Sequence, residues 1–173
     1  MTHNDGKEHW EYPRNGDLKV NTDAAIFTNS NRYSFSMVAR DHLGELVEAK
    51  SSCKQGTIDP VLAEAIGIRE ALSWVKEHGW CGTAVETDCL AMVQAIRCSS
   101  VTLSYLGRVI DECKGLLAQL KERNVTLMFV KRSANKVAHY LARHSNSIAD
   151  RSWRMEDVSP DFYRVMLDDL KVE

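Results

Sequence analysis

Three carboxylates, Asp23, Glu64 and Asp88, could do chemistry together, and the first two occupy places where a carboxylate is expensive. The stretch from Leu18 to Ala25 reads Leu-Lys-Val-Asn-Thr-Asp-Ala-Ala. In an extended segment alternate side chains share a face, so Lys19, Asn21, Asp23 and Ala25 line one side and Val20, Thr22 and Ala24 the other. Asp23 is therefore mid-strand, where aspartate is disfavoured and an unpaired carboxylate beside a core calls for a compensating cation. Glu64 lies on the apolar stripe that Val61, Ile68 and Ala71 share, and a carboxylate there must be desolvated against something. Asp88 stands where a short strand gives way to a helix. Each acid has an ordinary alternative, such as a solvated strand end for Asp23 or a helix N-cap for Asp88. With the first and fourth strands adjacent in one sheet, the three could converge on one point.

The elements that must position them follow from periodicity. Tyr33 to Arg40 alternates as a second strand and Glu45 to Cys53 as a third, with connections short enough for an antiparallel meander. At Asp59-Pro60 the period changes to that of a helix, N-capped by Asp59, carrying Val61, Ala65, Ile68, Leu72 and Val75 on one face and closed by His78-Gly79. Thr83 to Thr87 is a fourth strand, followed by a helix starting at Cys89. A long helix next carries Leu103, Leu106, Ile110, Cys113, Leu117 and Leu120. Val125 to Val130 is nearly all apolar, as expected of a buried parallel strand. In the last core helix Ala134, Val137, Ala138, Leu141 and Ser145 form the apolar side, while Asn135, His139 and Arg143 share another face. The order β-β-β-α-β-α-α-β-α predicts an α/β fold: a mixed five-stranded sheet, meander plus parallel strands, flanked by helices.

A chain of 173 residues with 44% hydrophobic content suits one domain. We expect a flexible lead-in over 1–16 that docks at most through Trp10 and Tyr12, a domain over 17–149, and a tail over 150–173 whose short helix after Pro160 packs back on the domain. With 22 basic and 24 acidic residues, any nucleic-acid function must rest on a local basic patch. Five cysteines without a C-x-x-C pair read as reduced core thiols. No run reaches membrane-spanning length, so the expectation is a soluble intracellular monomer, its compartment open between nucleus and cytoplasm.

Several stretches together resemble the ribonuclease H type 1 domain, in its plant, retroelement-like branch. They are Gly16 to Ala25, Ala63-Glu64-Ala65 with Ala71-Leu72, Glu86-Thr87-Asp88, Val130-Lys131-Arg132 with Asn135-Lys136-Val137-Ala138 and Leu141-Ala142, and the tail from Trp153 to Asp169. The resemblance implies a ribonuclease H-like fold and cleavage of the RNA strand of an RNA/DNA hybrid with two Mg²⁺ ions, Mn²⁺ being a substitute. Asp23 would be the bridging carboxylate and Glu64 and Asp88 further metal ligands. Hard divalent cations take oxygen ligands, and a close ion pair can activate water while stabilising the departing oxygen.

The chain departs from that pattern in three places. His139 stands where the family has its fourth acid, and imidazole suits zinc, copper or iron better than Mg²⁺. Phe129 occupies the place of a histidine linked to product release, and Ala24 replaces the glycine that commonly follows the first aspartate. The nucleic-acid contacts expected beside the acids are Ala24, Lys131, Arg132, Asn135, Lys136 and Arg143, since hybrids are recognised by shape, 2′-hydroxyls and phosphates. The alternative is a weakened or inactive domain that binds hybrid or structured RNA.

Overall fold

The computed structural model describes residues 6–100, 103–145 and 150–171. The first five residues of the expected lead-in, the last four of the expected domain and the last two of the tail lie outside the described residues. Strands β1 (Leu18–Phe27), β2 (Arg32–Arg40) and β3 (Leu46–Gln55) form the predicted meander. Helix α1 (Pro60–His78) starts where the Asp59 carboxylate accepts the Val61 N–H at 2.9 Å, and ends at Gly79 with φ 66, a left-handed position that favours glycine. Strand β4 (Thr83–Thr87) returns parallel to β1, pairing Thr22 with Thr87. Helices α2 (Leu90–Arg97) and α3 (Tyr105–Leu120) follow, then β5 (Thr126–Phe129), parallel to β4, and α4 (Lys136–Arg143).

The sheet has six strands rather than five. Arg151–Trp153 forms β6 on the outer side of β3, giving the order β5-β4-β1-β2-β3-β6. Three residues are too few to display a period of two, and this strand exists only because the edge of β3 is open to pair. Strand β5 is less enclosed than its apolar run implies. As the opposite edge strand it buries Leu127 but exposes Thr126 and Met128. Leu103 precedes α3 and is fully exposed, because the helix begins at a Ser104 cap. Of the cysteines, Cys53 and Cys113 are buried, whereas Cys81 and Cys98 are exposed at element ends and do not serve the core.

Two layers cover the sheet. On one face Val20, Phe35 and Met37 pack against Ile68, Leu72 and Val75 of α1, with Met92, Val109 and Cys113 behind; each large apolar side chain so buried contributes about 1.5–3 kcal/mol. On the other face Val38 and Ala49 meet Val137 and Leu141 of α4 and Phe162 and Met166 of α5 (Pro160–Asp169). This second face is unusually polar near β1 and β2. Ser36 Oγ donates to the Ala138 carbonyl at 2.6 Å and Ser34 Oγ to that of Ala142 at 2.5 Å, so α4 rests on small residues close to the strands.

The segment ahead of β1 docks through more than the two aromatics expected. Trp10 is 1% exposed, Lys7 bridges Val130, the Lys131 ammonium reaches Glu8, and Lys19 Nζ donates to the Glu11 carbonyl at 2.6 Å, while Tyr12 stays half exposed. Among the described residues no helix is long and apolar enough to cross a membrane.

Candidate active site

Asp23 comes from the middle of β1, Glu64 from the first turns of α1 and Asp88 from the end of β4. Parallel pairing of β1 with β4 brings the two aspartates together, and α1 crosses the sheet so that Glu64 completes the group. One carboxylate oxygen from each lies within 4.8 Å of the other two. Asp23 is 1% exposed, and its Oδ1 is buried with no hydrogen-bond partner among the described residues. The group able to donate to Asp23 from the acid side is a protonated Glu64, and a cation would satisfy the same buried oxygens.

Electrostatics supports the same point. Burial pushes the Asp23 carboxyl above its ordinary value and the Asp88 charge adds to this, against hydrogen bonds from His139 and the Ala24 backbone N–H. Burial, followed by the charge of Asp23, raises Glu64 to about 9. Glu64 therefore holds a proton at neutral pH, and that proton shields it from Asp23. An all-oxygen set of three acids can hold a divalent cation, which replaces the proton as the neutralising charge.

The N-cap alternative for Asp88 does not hold. Cys89 occupies the cap of α2 without a side-chain bond, and its N–H goes to Thr87 Oγ1. Asp88 instead accepts Arg132 Nε on Oδ2 at 2.8 Å and Asn135 Nδ2 on Oδ1 at 3.4 Å.

His139, at the place of the fourth acid, turns inward. Its Nδ1 lies 2.7 Å from Asp23 Oδ2, so it engages the central carboxylate rather than adding an oxygen to the group. Asn135 is 1% exposed and donates to the Thr22 carbonyl as well as to Asp88. Arg132 sits on Asp88 with its side chain 67% exposed, Lys131 pairs with Glu8, and Lys136 and Arg143 are exposed on α4. Ala24 is half-buried and supplies its N–H to the acids. Phe129 packs against the core and over Gly6, where a Cβ would meet its ring at 2.6 Å. A depression of about 500 Å³ lined by Tyr33, Phe35, Lys50, Lys54, Arg69 and Tyr105 lies elsewhere and includes none of the acids.

Sequence reasoning did not single out Trp10, Arg40 or Glu86 as neighbours of the site. Asn21 carried a legible signal, a second polar residue two positions before Asp23 and therefore on its face of β1. The others meet it only through pairings distant in sequence.

The fold recurs in solved structures. Ribonuclease H1 from Halobacterium salinarum matches with a TM-score of 0.65 at 18% identity, covering 75% of this chain and 96% of that one. LC11-RNase H1, isolated from compost and solved in complex with an RNA/DNA hybrid, matches with a TM-score of 0.61 at 17% identity, over 73% of this chain and 94% of that one. The protease-reverse transcriptase of prototype foamy virus matches at 0.62 and 13% identity, covering 84% of this chain and 23% of that longer one. No curated protein matches the chain. The family described as reverse transcriptase-like matches residues 21–145, which spans all three acids and His139. With a ribonuclease H-type sheet, two acids brought together by its adjacent first and fourth strands and a third by α1, and most of its length matched, this chain belongs to the reverse transcriptase-like family.

Proposed function

We propose that the chain is a ribonuclease H-type endonuclease of retroelement-like descent that, as a monomer, hydrolyses the RNA strand of an RNA/DNA hybrid. The observation that carries this reading is the meeting of one carboxylate oxygen each from Asp23, Glu64 and Asp88 within 4.8 Å of one another, around the buried Asp23. Those three residues would hold Mg²⁺, or Mn²⁺ in its place, and ions there supply water activation and neutralise charge on the departing oxygen. The protein's own part is positional. Asp23 is fixed mid-strand, Glu64 must give up its proton, and Arg132 exchanges Asp88 for a phosphate oxygen as the substrate arrives. Lys131, Lys136, Arg143 and the backbone at Ala24 stand where an A-form-like hybrid is followed by shape and phosphate. Purified protein incubated with labelled hybrid and Mg²⁺ or Mn²⁺ should cleave the RNA strand, and Asp23→Asn should abolish cleavage. Absence of any Asp23-dependent cleavage with either metal would refute the enzyme reading.

A second reading, binding of hybrid or structured RNA with slow or no turnover, is favoured by one contact. His139 Nδ1 occupies an oxygen of Asp23 at 2.7 Å, in the place where an additional anionic ligand would stand. His139→Asp should tighten Mg²⁺ binding by about 10-fold, the scale of a change beside a ligand, and increase Mg²⁺-dependent cleavage. Unchanged affinity, measured by calorimetry, would remove His139 as the weak point.

A further inference from the structure

A chain of buried polar groups runs from the C-terminal helix to Asp88. Asp169 Oδ2 accepts from Arg40 Nη2 at 2.9 Å; Arg40 Nη2 and Trp10 Nε1 both donate to Asn21 Oδ1, at 3.4 and 3.0 Å. Asn21 Nδ2 donates to Asn135 Oδ1 at 3.2 Å and to Glu86 Oε2 at 3.0 Å. Asn135 Nδ2 then donates to the Thr22 carbonyl at 3.0 Å and to Asp88 Oδ1 at 3.4 Å. Arg40 and Asn21 are 0% exposed, and Trp10 and Asn135 1%.

The direction of this chain is dictated by chemistry. A guanidinium and an indole N–H can only donate, so Asn21 must turn its oxygen toward them. Its NH₂ then faces the Glu86 carboxylate and Asn135, which in turn must present its own oxygen to Asn21. The Asn135 NH₂ is left to a carbonyl and the Asp88 carboxylate, both of which accept. Flipping either amide would set donor against donor at one end and acceptor against acceptor at the other. Donors on one side of Asn21 thus fix the orientation of Asn135, two links away.

The Arg40–Asp169 pair makes little sense as a stabiliser alone. Both side chains are at most 1% exposed, and Arg40 Nε and Nη1 and Asp169 Oδ1 have no hydrogen-bond partner among the described residues. The Trp10 ring, 3.9 Å from the guanidinium carbon, covers its face. Replacing such a pair by apolar residues of similar volume is often neutral or stabilising. An apolar pair could not donate to Asn21. Trp10 and Asp169 also lie outside the family match at 21–145, yet both close on this one arginine.

We infer that Arg40, held by Asp169 and Trp10, is a positioning residue that acts through Asn21 and Asn135 to fix the Asp88 carboxylate for metal. The inference rests on the reading of Asp23, Glu64 and Asp88 as metal ligands. It gives the two flanking segments a part in the site that neither plays by touching it.

The test uses the full chain and Mn²⁺ as probe. In Arg40→Met/Asp169→Leu the relay loses its cation while the volume is kept, and in Trp10→Phe it loses one donor. Calorimetric Mn²⁺ affinity should fall about 10-fold in the double variant, the lower end of the range for outer-shell changes, and by less in Trp10→Phe. In metal-free protein the Asn135 side-chain amide signals, followed by ¹⁵N NMR, should shift in both variants. Should the double variant fail to fold, Asp169→Asn, which removes the anion that holds Arg40, takes its place beside Trp10→Phe. Mn²⁺ affinity within twofold of wild type in a folded variant would overturn the relay, as would unmoved Asn135 amide signals. If the wild-type chain binds no Mn²⁺, the metal-site reading fails, and the amide signals still decide whether Arg40 orients Asn135.

Discussion

At the scale of the residue, Glu64 carries the most direct consequence. Its carboxyl titrates at about 9 in the folded chain against an ordinary 4.5. Below pH 4.5 it is protonated folded or unfolded and favours neither state. Between about 4.5 and about 9 the unfolded chain ionises first, so stability without metal should fall as pH rises through this window. Glu64→Gln should flatten that fall, and for the wild type Mn²⁺ should raise the melting temperature more at pH 8 than at pH 6, because the proton on Glu64 competes with the ion. Thermal melts with and without Mn²⁺ check both; a metal effect independent of pH would contradict the assignment of the shared proton. Asp23 and Glu64 were legible because each broke a local rule, an aspartate mid-strand and a glutamate on an apolar stripe, whereas Asp88 read equally well as an ordinary cap and stood out only in company with the other two. The bond from His139 to Asp23 was not legible, since spacing placed His139 with Asn135 and Arg143 without naming what that face meets.

At the scale of the element, α4 and α5 are the informative pair. Serines on β2 reach the carbonyls of Ala138 and Ala142, which leaves α4 no room for larger residues there. Helix α5 closes the same layer with Phe162, 3% exposed and stacked parallel to Tyr140 with ring centroids 6.0 Å apart. Phe162→Ala should destabilise the chain by about 3–5 kcal/mol, the range for emptying an aromatic core site. Tyr163→Ala, at a residue 42% exposed, should stay within about 0.5 kcal/mol. Urea unfolding of the two variants measures the contrast, and equal effects would mean that α5 is not part of the core. Pro160 announced this helix, and the aromatics of the tail announced that it packs back on the domain, though not where. Strand β6 could not be read in advance, because three residues acquire strand character only from the ladder with β3.

At the scale of the whole molecule, the sequence reading succeeded wherever order along the chain dictates order in space. Short connections forced the meander, and a strand-helix-strand unit called for parallel pairing, although the place of β4 beside β1 was assumed rather than dictated. It fell short where distant segments choose each other. Arg40, Trp10 and Asp169 have no shared period, and their meeting depends on two flanking stretches folding over one face of a finished sheet. Lys131 and Arg132 were expected to face substrate, and they rest on Glu8 and Asp88.

The separation of Arg40 from Asp169 also bears on how the chain is made. Their positions differ by 129. At ribosomal speed the arginine is synthesised on the order of ten seconds before the aspartate that neutralises it. Until then a charge bound for the interior lacks the anion it pairs with in the folded chain, which disfavours closing the second face of the nascent sheet. Consolidation of that face is therefore expected to wait for α5 to leave the ribosome, and ribosome-bound chains halted before Asp169 should be digested by protease more readily than chains that present it.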